Sequence, residues 1–539
     1  MRRWNGWGDE HNEFPLRPEG LSFIRQRLGE AAPLRDAALA EVIAKVPPSR
    51  LPLHPLIVTA AEDRVRHARG QSLPDWLAMR SGEFGVFPDG VAYPQSTQQV
   101  RQLLDFCLAN GIEVIPYGGG TSVAGHITPV TTPRPVLTLS LAKMDRLLAL
   151  DRESQLATFG AGTPGPLLEE QLQREGYTLG HFPQSFELST VGGWVASRSS
   201  GQQSLRYGRI EQLFAGGLVE TPRGTLEIPT FPATSAGPDV REMILGSEGR
   251  MGVLTEVKVR VTPLPATEKF FVGFLPDWQS AVNCVRSLAQ GKVQLSMLRL
   301  SNPVETQTQL VLAGHAQLVG LLERYLRVRG VGTPGGIDKC MVTFGVTGSK
   351  AQCRAALAQA NAALAAHGGV NVGTPLGRKW EHARFRSPYL RHGLWEHGYA
   401  VDTLETAADW KNVSSLMTAI EQALRDAAAR FGEKIHVFTH LSHLYPQGSS
   451  IYTTYVFRCA GSYAGTQARW AAMKAAASET IVAFRSTISH QHGVGRDHAP
   501  YLPAEKGPLG TGAIRSLLTH FDPQGLMNPG VLLPDGERR

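Results

Sequence analysis

Residues 116–125 read PYGGGTSVAG, a run of three glycines directly after the mainly apolar stretch Ile112–Ile115. Two interpretations fit this stretch. One is a strand-to-loop turn, because glycine adopts the positive φ angles that other residues resist. The other is an anion cradle, in which the backbone N–H groups of Gly118–Gly120 and the hydroxyls of Thr121 and Ser122 converge on phosphate oxygens. The stretch is neither G-x-G-x-x-G nor G-x-x-x-x-G-K-[ST], so the usual dinucleotide and P-loop fingerprints are absent here.

Three further glycine-rich loops occur in the same half of the chain. They are FGAGTPGPL at 159–167, HFPQSFELSTVGGWVASRSSGQQSLRYG at 181–208 and GSEGRMGVL at 246–254. Each of these loops alone is typical of a turn. The second also carries large apolar residues, so part of it is expected to be buried, and buried backbone groups need partners. Together with PYGGGTS, the loops predict one extended cleft for a long, phosphate-bearing cofactor.

Composition excludes several classes of protein. The chain has 539 residues, of which 42% are hydrophobic and 19% charged, as expected for a folded protein of several domains. The net charge of +7 includes no dense Lys/Arg block, so we expect anionic ligands or a membrane surface and no nucleic acid. The five cysteines form no C-x-x-C, so we expect neither disulfides nor a metal site.

The N-terminal sequence and the hydropathy pattern indicate where in the cell the protein is located. The N-terminal stretch MRRWNGWGDEHNEF lacks the apolar core of a secretory signal. No stretch reaches the roughly 18 apolar residues that a transmembrane helix needs. The sequence therefore predicts a cytoplasmic protein.

Changes in residue composition and predicted secondary structure along the chain indicate four regions. Residues 1–89 read as a helical arm. Residues 90–265 mix short strands, helices and glycine loops, including a helix over VRQLLDFCLANG that ends near Gly111 and a hairpin over LFAGGLVETPRGTLEIP. Residues 266–500 follow a β-α-β-β-α-β order, which favours a sheet covered by helices, and 501–539 form a tail. The fold class is α+β.

The motifs PYGGGTSVAG, HFPQSFELSTVGGWVASRSSG and GSEGRMGVLTEV resemble the FAD domain of the vanillyl-alcohol oxidase flavoprotein family. WNGWG at 4–8, STVGGW and SHQHGVG at 489–495 are similar to its alkyldihydroxyacetonephosphate synthase branch. The resemblance covers nearly the whole chain. It implies a two-part PCMH-type FAD-binding domain over 90–265, a substrate (cap) domain with an antiparallel sheet over 266–500, and a tail that packs back near the FAD domain.

The resemblance also implies which residues hold FAD. Pro116 to Ser122 would bind the pyrophosphate, the loops at 183–189 and 196–199 would line the flavin ring and ribityl chain, and 248–254 would contact the adenosine half. Tyr117 stands where some relatives carry a histidine bonded to the flavin, so FAD is expected to be noncovalent. The implied cofactor residues are Pro116, Tyr117, Gly118, Gly119, Gly120, Thr121, Ser122, Pro183, Gln184, Ser185, Phe186, Glu187, Leu188, Ser189, Ala196, Ser197, Arg198, Ser199, Glu248, Gly249, Arg250, Met251, Gly252, Val253 and Leu254.

The later half supplies candidates for catalysis. SHQHGVG places His490 and His492 two residues apart, so in an extended segment both rings would point the same way, and imidazoles exchange protons near neutral pH. The synthase branch has three consecutive histidines here, whereas this chain has Gln491 in the middle position. By resemblance, Tyr452 occupies the position of a catalytic tyrosine. Without the resemblance, a loop histidine pair and a core tyrosine would be the ordinary interpretations.

Two arginines are candidates for substrate binding. By resemblance, Arg391 in RSPYLRHGL matches a substrate-binding arginine, and Arg299 in SMLRLSN matches a second arginine near the active site. A guanidinium pairs bidentately with a phosphate, so Arg391 suits a phosphate anchor. A surface ion pair is the commoner fate of an arginine, and only the resemblance favours the binding role.

The resemblance implies an exchange of the acyl group of acyl-dihydroxyacetone phosphate for a fatty alcohol, through an adduct at the flavin N5. It further implies a lipid phosphate and a fatty alcohol as partners, peripheral association with a membrane and a homodimer. The alternative is an FAD-dependent dehydrogenase or oxidase of a D-2-hydroxy acid such as D-lactate or D-2-hydroxyglutarate, since FDPQGLMNPGVLLP resembles the C-terminal tail of those enzymes. A third interpretation is a flavoprotein that has lost turnover.

Overall fold

The computed structural model of the protein describes residues 2–312, 314, 316–333 and 336–534, so the last five residues of the tail lie outside the described part. The N-terminal arm contains α1 (Pro18–Leu28), α2 (Leu39–Ile43), β1 (Ile57–Val58), α3 (Ala61–Arg66) and α4 (Leu73–Ser81). Short helices dominate this arm. Its one strand joins the sheet of the following region, so the arm is built into the fold.

The next region begins with a small parallel sheet. Its elements are β2 (Gly90–Ala92), α5 (Thr97–Asn110), β3 (Glu113–Tyr117) and β4 (Val136–Ser140). The strand order is β1-β2-β4-β3, with β1 antiparallel to β2 and the other pairs parallel. β3 leads directly into the glycine loop, which fixes that loop at the carboxyl edge of the sheet, where ligands bind in parallel sheets.

Helix α5 shows why the local prediction succeeds. The Ser96 hydroxyl accepts a hydrogen bond from the Gln99 N–H at the amino end, and Gly111 ends the helix in the left-handed conformation with φ 63°. Val100, Leu103, Leu104 and Cys107 fall on one buried face. Cap, apolar spacing and terminal glycine all agree, and the predicted helix is confirmed.

A five-stranded antiparallel sheet completes this half, in the order β5-β6-β10-β8-β9. The elements here are β5 (Leu147–Asp151), β6 (Leu156–Gly160), α6 (Gly165–Arg174), β7 (Tyr177–Thr178), α7 (Val191–Ser197), α8 (Ser204–Tyr207), α9 (Ile210–Leu213), β8 (Phe214–Thr221), β9 (Gly224–Ile228), α10 (Arg241–Ile244), β10 (Val253–Arg260) and β11 (Thr262–Pro263). β8 and β9 form the predicted hairpin. The two sheets together make up the two-part FAD-binding architecture.

The later half is built on a larger antiparallel sheet. Its elements are β12 (Thr267–Leu275), α11 (Trp278–Gln290), β13 (Met297–Ser301), α12 (Pro303–Leu312), α13 (Ala316–Val328), β14 (Cys340–Gly348), α14 (Lys350–Ala366), β15 (Val370–Asn371), α15 (Pro375–Ala383), α16 (Leu390–Trp395), β16 (Tyr399–Asp409), α17 (Trp410–Ala429), β17 (His436–Leu441), β18 (Gly448–Arg458) and α18 (Tyr463–Ala483). The described strands run in the order β15-β12-β14-β13-β17-β18-β16. This is the predicted helix-covered sheet, with β13, β15 and β16 as strands that the sequence pattern did not single out.

The tail returns to the first half of the chain. It contains α19 (Leu502–Phe521), which Gly507 interrupts with φ 68°. Beyond it, the Val114 N–H donates to the Leu526 carbonyl and the Asn528 N–H donates to the Val114 carbonyl, both at 2.9 Å. The tail therefore pairs with β3 beside the glycine loop. Of the helices in the described ranges, none combines the length and apolarity that crossing a bilayer requires.

Candidate active site

A cavity of about 600 Å³ collects residues from every region of the chain. The arm contributes Trp7 and Gln71, the glycine loops contribute backbone, and the larger sheet contributes charged and aromatic side chains. This volume lies within the ordinary range for small-molecule and cofactor sites. The cavity therefore joins the predicted cofactor loops to two of the predicted catalytic residues, Tyr452 and His492, in one space.

The PYGGGTS loop forms one wall of the cavity. Pro116, Tyr117 and all residues of 118–122 line it. A Cβ on Gly119 would lie 1.8 Å from the Leu188 carbonyl oxygen, so only glycine permits this approach of two backbones. Within the described ranges, the backbone N–H groups of 118–122 have no hydrogen-bond acceptor. A row of unpaired N–H groups on a cavity wall fits the pyrophosphate of FAD.

The other predicted FAD-contacting loops reach the cavity with some of their residues. The cavity is lined by Pro183, Gln184, Ser185, Ser189, Ala196, Ser197, Ser199, Glu248, Gly249, Gly252 and Leu254. The residues of these loops that do not line it are Phe186, Glu187, Leu188, Arg198, Arg250, Met251 and Val253. Phe186, Met251 and Val253 point into the core, and Arg198 pairs with Glu242 at 3.0 Å on the wall of a second cavity.

The loop residues that sequence reasoning missed belong to a motif it had quoted. Thr190, Gly192, Gly193 and Trp194 of STVGGW line the cavity at the start of α7. The Thr190 hydroxyl accepts the Gly193 N–H at 3.3 Å, and a Cβ on Gly192 would meet Ala161 at 2.8 Å. The two glycines were therefore the available signal for this wall.

Buried polar atoms with no partner also point to a bound polar molecule. The Gln202 and Asn528 side-chain oxygens are buried, line the cavity and have no hydrogen-bond partner among the described residues. Unpaired buried oxygens are costly unless a ligand or water satisfies them. Together with the glycine cradle, they fit FAD. That the cofactor is held noncovalently stays a prediction.

Three neighbouring strands bring the chemical groups of the larger sheet together. Glu405 on β16 pairs in register with Tyr452 on β18, and Tyr452 pairs with His440 on β17. Residues opposite one another on adjacent strands share a face, so the three side chains stand side by side. The His440 and Tyr452 rings stack at 4.7 Å. Burial raises the pKa of the Tyr452 hydroxyl.

The two predicted catalytic histidines separate. The segment after α18 bends at 490–492 instead of running extended, so the expectation that both rings point the same way is wrong. His492 lines the main cavity near Tyr452, with the ring centres 5.7 Å apart. His490 lines the second cavity instead, next to Arg209 and Tyr445. That both histidines are catalytic stays a prediction, but only His492 reaches the main cavity.

Glu405 connects the two histidines. Its side chain is fully buried; one carboxylate oxygen lies 3.1 Å from His490 Nδ1 and the other 3.9 Å from His492 Nε2. Burial opposes ionisation of Glu405, but the interactions with His490 and His443 outweigh it and hold the pKa well below its usual range. Burial lowers the pKa of both His490, to about 4, and His492, while Glu405 opposes the shift.

Arg391 lies at the amino-terminal end of α16 and lines the cavity. It donates to the Gln71 carbonyl at 2.7 Å and to the Val401 carbonyl at 3.3 Å, and its guanidinium lies over the Trp76 ring at 4.9 Å. Its nearest carboxylate, on Asp402, is 4.0 Å away. Burial lowers its pKa. A largely buried guanidinium that is hydrogen-bonded to two carbonyl groups and lies 4.0 Å from its nearest carboxylate has charge available for an anionic ligand.

Arg299 on β13 also lines the cavity but is already paired. It donates to Glu305 at 2.6 Å and contacts His440 Nδ1 at 3.1 Å. Burial opposes ionisation of Glu305, but His440 and Arg299 outweigh it and lower the Glu305 pKa. The carboxylate neutralises this arginine, so Arg299 is less free than Arg391 to bind an anion.

Sequence reasoning missed the groups that surround the histidines. These groups are Glu405, His443, Arg209 and Tyr445, and a glutamate inside an otherwise buried strand was the one local signal among them. Ligand atoms of Glu405, His443 and His490 lie within 4.8 Å of one another, a spacing that could hold a metal ion. Arg209 Nη1 lies 2.8 Å from His490, and its positive charge disfavours a cation at this position.

Sequence profiles of two families match the chain. The profile described as "FAD binding domain" matches residues 88–228, and the one described as "FAD linked oxidases, C-terminal domain" matches residues 264–532. The first of these spans the glycine loop at the wall of the cavity. The chain is accordingly an FAD-dependent protein, and its cofactor is FAD.

Individual relatives narrow the assignment. Alkyldihydroxyacetonephosphate synthase of Dictyostelium discoideum is 30% identical over 87% of this chain and 77% of the relative, and that of Trypanosoma brucei brucei is 28% identical over 99% and 92%. A solved alkyldihydroxyacetonephosphate synthase structure superposes with a TM-score of 0.83 at 25% identity, covering 98% of both chains. A mitochondrial D-lactate dehydrogenase of Kluyveromyces lactis matches only 40% of this chain. The chain belongs to the alkyldihydroxyacetonephosphate synthase family of FAD-dependent enzymes.

Proposed function

We propose that the protein exchanges the acyl group of acyl-dihydroxyacetone phosphate for a fatty alcohol and forms an ether bond. The observation that carries this proposal is the single cavity that unites a glycine cradle, a buried arginine, a tyrosine–histidine pair and an apolar wall. A substrate with a phosphate, a ketone and a long hydrocarbon chain needs one group of each kind. Family membership supports the same reaction.

Arg391 is the proposed phosphate anchor. Its guanidinium is buried, fixed by two carbonyl groups and 4.0 Å from its nearest carboxylate. Because a guanidinium binds phosphate through two parallel hydrogen bonds, it both holds and orients the substrate. Arg299, which already pairs with Glu305 at 2.6 Å, is proposed as a weaker second contact to the substrate.

The hydrocarbon chains are proposed to lie along the apolar part of the cavity. The apolar residues that line the cavity include Ile127, Leu141, Met297, Leu312, Leu390, Val401 and Phe438. Burial of apolar surface gives roughly 25 cal/mol per Å². A long alkyl chain therefore gains more in this cavity than the short side chain of a 2-hydroxy acid would.

Proton transfer falls to residues that reach the cavity from the larger sheet. Tyr452 and His492 are proposed to take a proton from the carbon next to the substrate carbonyl and to return one after the exchange. Both side chains are half-buried and line the cavity, so they can reach a substrate bound there. When bound, FAD supplies an electron-poor ring system against the substrate. The net exchange consumes an ester and an alcohol and releases a fatty acid, with no change of oxidation state.

A product assay tests the proposal. Purified yellow protein is incubated with acyl-dihydroxyacetone phosphate and 1-hexadecanol, and lipids are analysed by mass spectrometry. We expect one alkyl ether and one free fatty acid per turnover. A 2-hydroxy-acid dehydrogenase would instead lose flavin absorbance when D-lactate or D-2-hydroxyglutarate is added without oxygen. Bleaching without ether formation contradicts the proposal. The absence of both bleaching and ether formation also contradicts it and would favour an inactive flavoprotein.

We further propose that α13 docks the protein on a lipid surface. Leu318, Leu321, Tyr325 and Val328 form an exposed stripe on this helix, from 41% to 85% accessible. Arg324 and Arg327 flank it and are exposed. An apolar stripe with basic flanks is typical of helices that lie in a membrane interface. The preceding helix, α12, lines the cavity through Thr308, Gln309 and Leu312.

Vesicle sedimentation tests this docking surface. We expect the double variant Leu321→Glu and Val328→Glu to lower the fraction bound to anionic vesicles at least fivefold. The matched control is Phe231→Glu, which changes an exposed apolar residue in the other half of the chain. Equal binding of both variants overturns the proposal. The homodimer stays a prediction, for which sedimentation equilibrium is the measurement.

A further inference from the structure

His490 makes contacts that fix which of its nitrogens carries hydrogen. Its Nε2 lies 2.8 Å from Arg209 Nη1 and 2.7 Å from the Tyr445 hydroxyl. An arginine side chain only donates hydrogen bonds and does not lose its proton in proteins. His490 Nε2 is therefore the acceptor. In the neutral ring, the single hydrogen then sits on Nδ1, which donates to a Glu405 carboxylate oxygen at 3.1 Å.

Arg209 is itself held in place from several sides. It pairs with Glu211 at 2.6 Å and donates to the backbone carbonyls of Arg198 and His490 at 3.2 and 3.1 Å. Because its Nη1 also contacts His490 Nε2, the guanidinium is hydrogen-bonded to both the backbone and the side chain of His490. Rotation of that ring would leave donors of a buried charge unpaired, which is costly.

The two oxygens of Glu405 have different surroundings. One accepts from His490 Nδ1 and from the Ser442 hydroxyl, both at 3.1 Å. The other is buried and has no hydrogen-bond partner within the described ranges. His492 Nε2 lies 3.9 Å from that second oxygen. An unpaired carboxylate oxygen in a buried position thus faces the ring that lines the main cavity.

We propose that Arg209, His490 and Glu405 are a positioning set that directs one carboxylate oxygen at His492, so that His492 and not His490 accepts the proton in the reaction. The inference rests on the proposed function for the reaction itself. His490 is then a positioning residue. A proton on His492 makes its ring positive, and the ionised Glu405 carboxylate 3.9 Å from Nε2 stabilises that charge electrostatically.

The other charges around His492 make this carboxylate necessary. Burial disfavours the protonated ring, and so do Lys474 on α18 and His126 near the glycine loop. Asp402 and Glu405, both on β16, favour it. Asp402 Oδ2 already accepts the Trp470 indole N–H at 2.6 Å. Among the described residues, Glu405 is the carboxylate that lies within 4.0 Å of a His492 ring nitrogen, with Oε2 3.9 Å from Nε2.

Nitrogen NMR of the holoprotein, labelled in its histidine rings, tests the arrangement without turnover. Difference spectra against His490→Asn and His492→Asn assign the two rings. We expect His490 to show the Nδ1–H tautomer unchanged between pH 5.5 and 8, and His492 to respond to Glu405→Gln. A His490 ring that carries hydrogen on Nε2, or that protonates in this range, overturns the inference.

Matched substitutions give the kinetic test. The amide N–H of asparagine at position 490 occupies roughly the place of Nδ1–H and can still donate to Glu405, but it cannot act as a base. We expect His490→Asn to keep kcat within tenfold of the wild type, and His490→Ala and His492→Asn to lose at least a hundredfold. Equal losses in His490→Asn and His492→Asn overturn the inference. A wild-type protein that makes no ether product defeats the proposed function instead, and the NMR result still decides the tautomer.

Discussion

The glycine-loop wall and the strand wall of the cavity are built by opposite means. Gly119 lies against the backbone of Leu188, and Gly118 and Gly120 lie against neighbouring side chains, so this wall depends on the absence of a Cβ at these positions. Across β16, β18 and β17, the register places Glu405, Tyr452 and His440 on one face, and the structure depends on which side chains are present. The first wall is suited to binding a cofactor, and the second to moving protons on its substrate.

Gly119→Ala gives the largest effect that this comparison predicts. A Cβ there would lie 1.8 Å from the Leu188 carbonyl oxygen, so the loop at 185–190 must shift. Forcing an extra carbon into packed surroundings costs roughly 1–3 kcal/mol. We expect flavin occupancy, measured by absorbance at constant protein concentration, to fall at least tenfold.

Gly512→Ala is the control for that variant, because nothing lies within 4 Å of a Cβ at this position. It should bind flavin as the wild type does. A Gly119→Ala protein that is as yellow as the control would show that the close approach of the two backbones is not needed.

Tyr452→Phe tests the strand wall. In contrast to Gly119→Ala, it should lower the rate of the reaction and leave flavin binding unchanged. The substitution removes one hydroxyl from a half-buried ring and leaves the glycine loops untouched. General acid–base catalysis by a side chain contributes about 10²–10⁴-fold, so kcat for ether formation should fall by that factor. Flavin content should not change. Retention of more than a fifth of the activity would remove Tyr452 from the proton-transfer step.

Arg391→Lys should affect substrate binding and little else. Lysine keeps the positive charge but loses the planar pair of donors that matches a phosphate. We expect KM for the acyl substrate to rise at least tenfold with flavin content unchanged. The control is Arg386→Lys, since Arg386 is exposed and does not line the cavity. Loss of flavin in the Arg391 variant would place this arginine at the cofactor.

Acidification should lower the free energy of unfolding through a histidine on the strand wall, and this effect is smaller than those of the substitutions above. Burial lowers the pKa of His436 on β17 to about 4 from its ordinary 6.5. Above pH 6.5 neither the folded nor the unfolded state binds this proton. Below it the unfolded chain does and the folded protein does not. The free energy of unfolding therefore falls as pH drops from 6.5 towards 4, by up to about 1.4 kcal/mol per pH unit.

His436→Gln isolates this contribution. Glutamine can keep the contact that His436 Nε2 makes with the Thr308 hydroxyl at 2.9 Å, but it does not titrate. Urea denaturation at pH 7 and pH 5 should show a loss of stability smaller by about 2 kcal/mol in the variant. An identical loss in both proteins would mean that His436 is already charged in the folded state.

The sequence by itself determined the cofactor wall. Its glycine loops, the capped helix before PYGGGTS and the hairpin at β8–β9 are local patterns, because backbone conformation and caps depend on residues a few positions apart. The predicted Tyr452, His492, Arg391 and Arg299 also line the cavity. For these four, the resemblance to a family provided the signal that local pattern lacks.

Only the tertiary structure decided how the side chains pair. Arg209 meets His490 across 281 residues, and Arg391 meets the Gln71 carbonyl across 320. Because the chain bends at 490–492, the side chains of His490 and His492 line different cavities although only one residue separates them. Such contacts follow from strand register and from packing of distant segments, which a local sequence window does not encode. The proposed division of roles between His490 and His492 therefore depends on the tertiary structure.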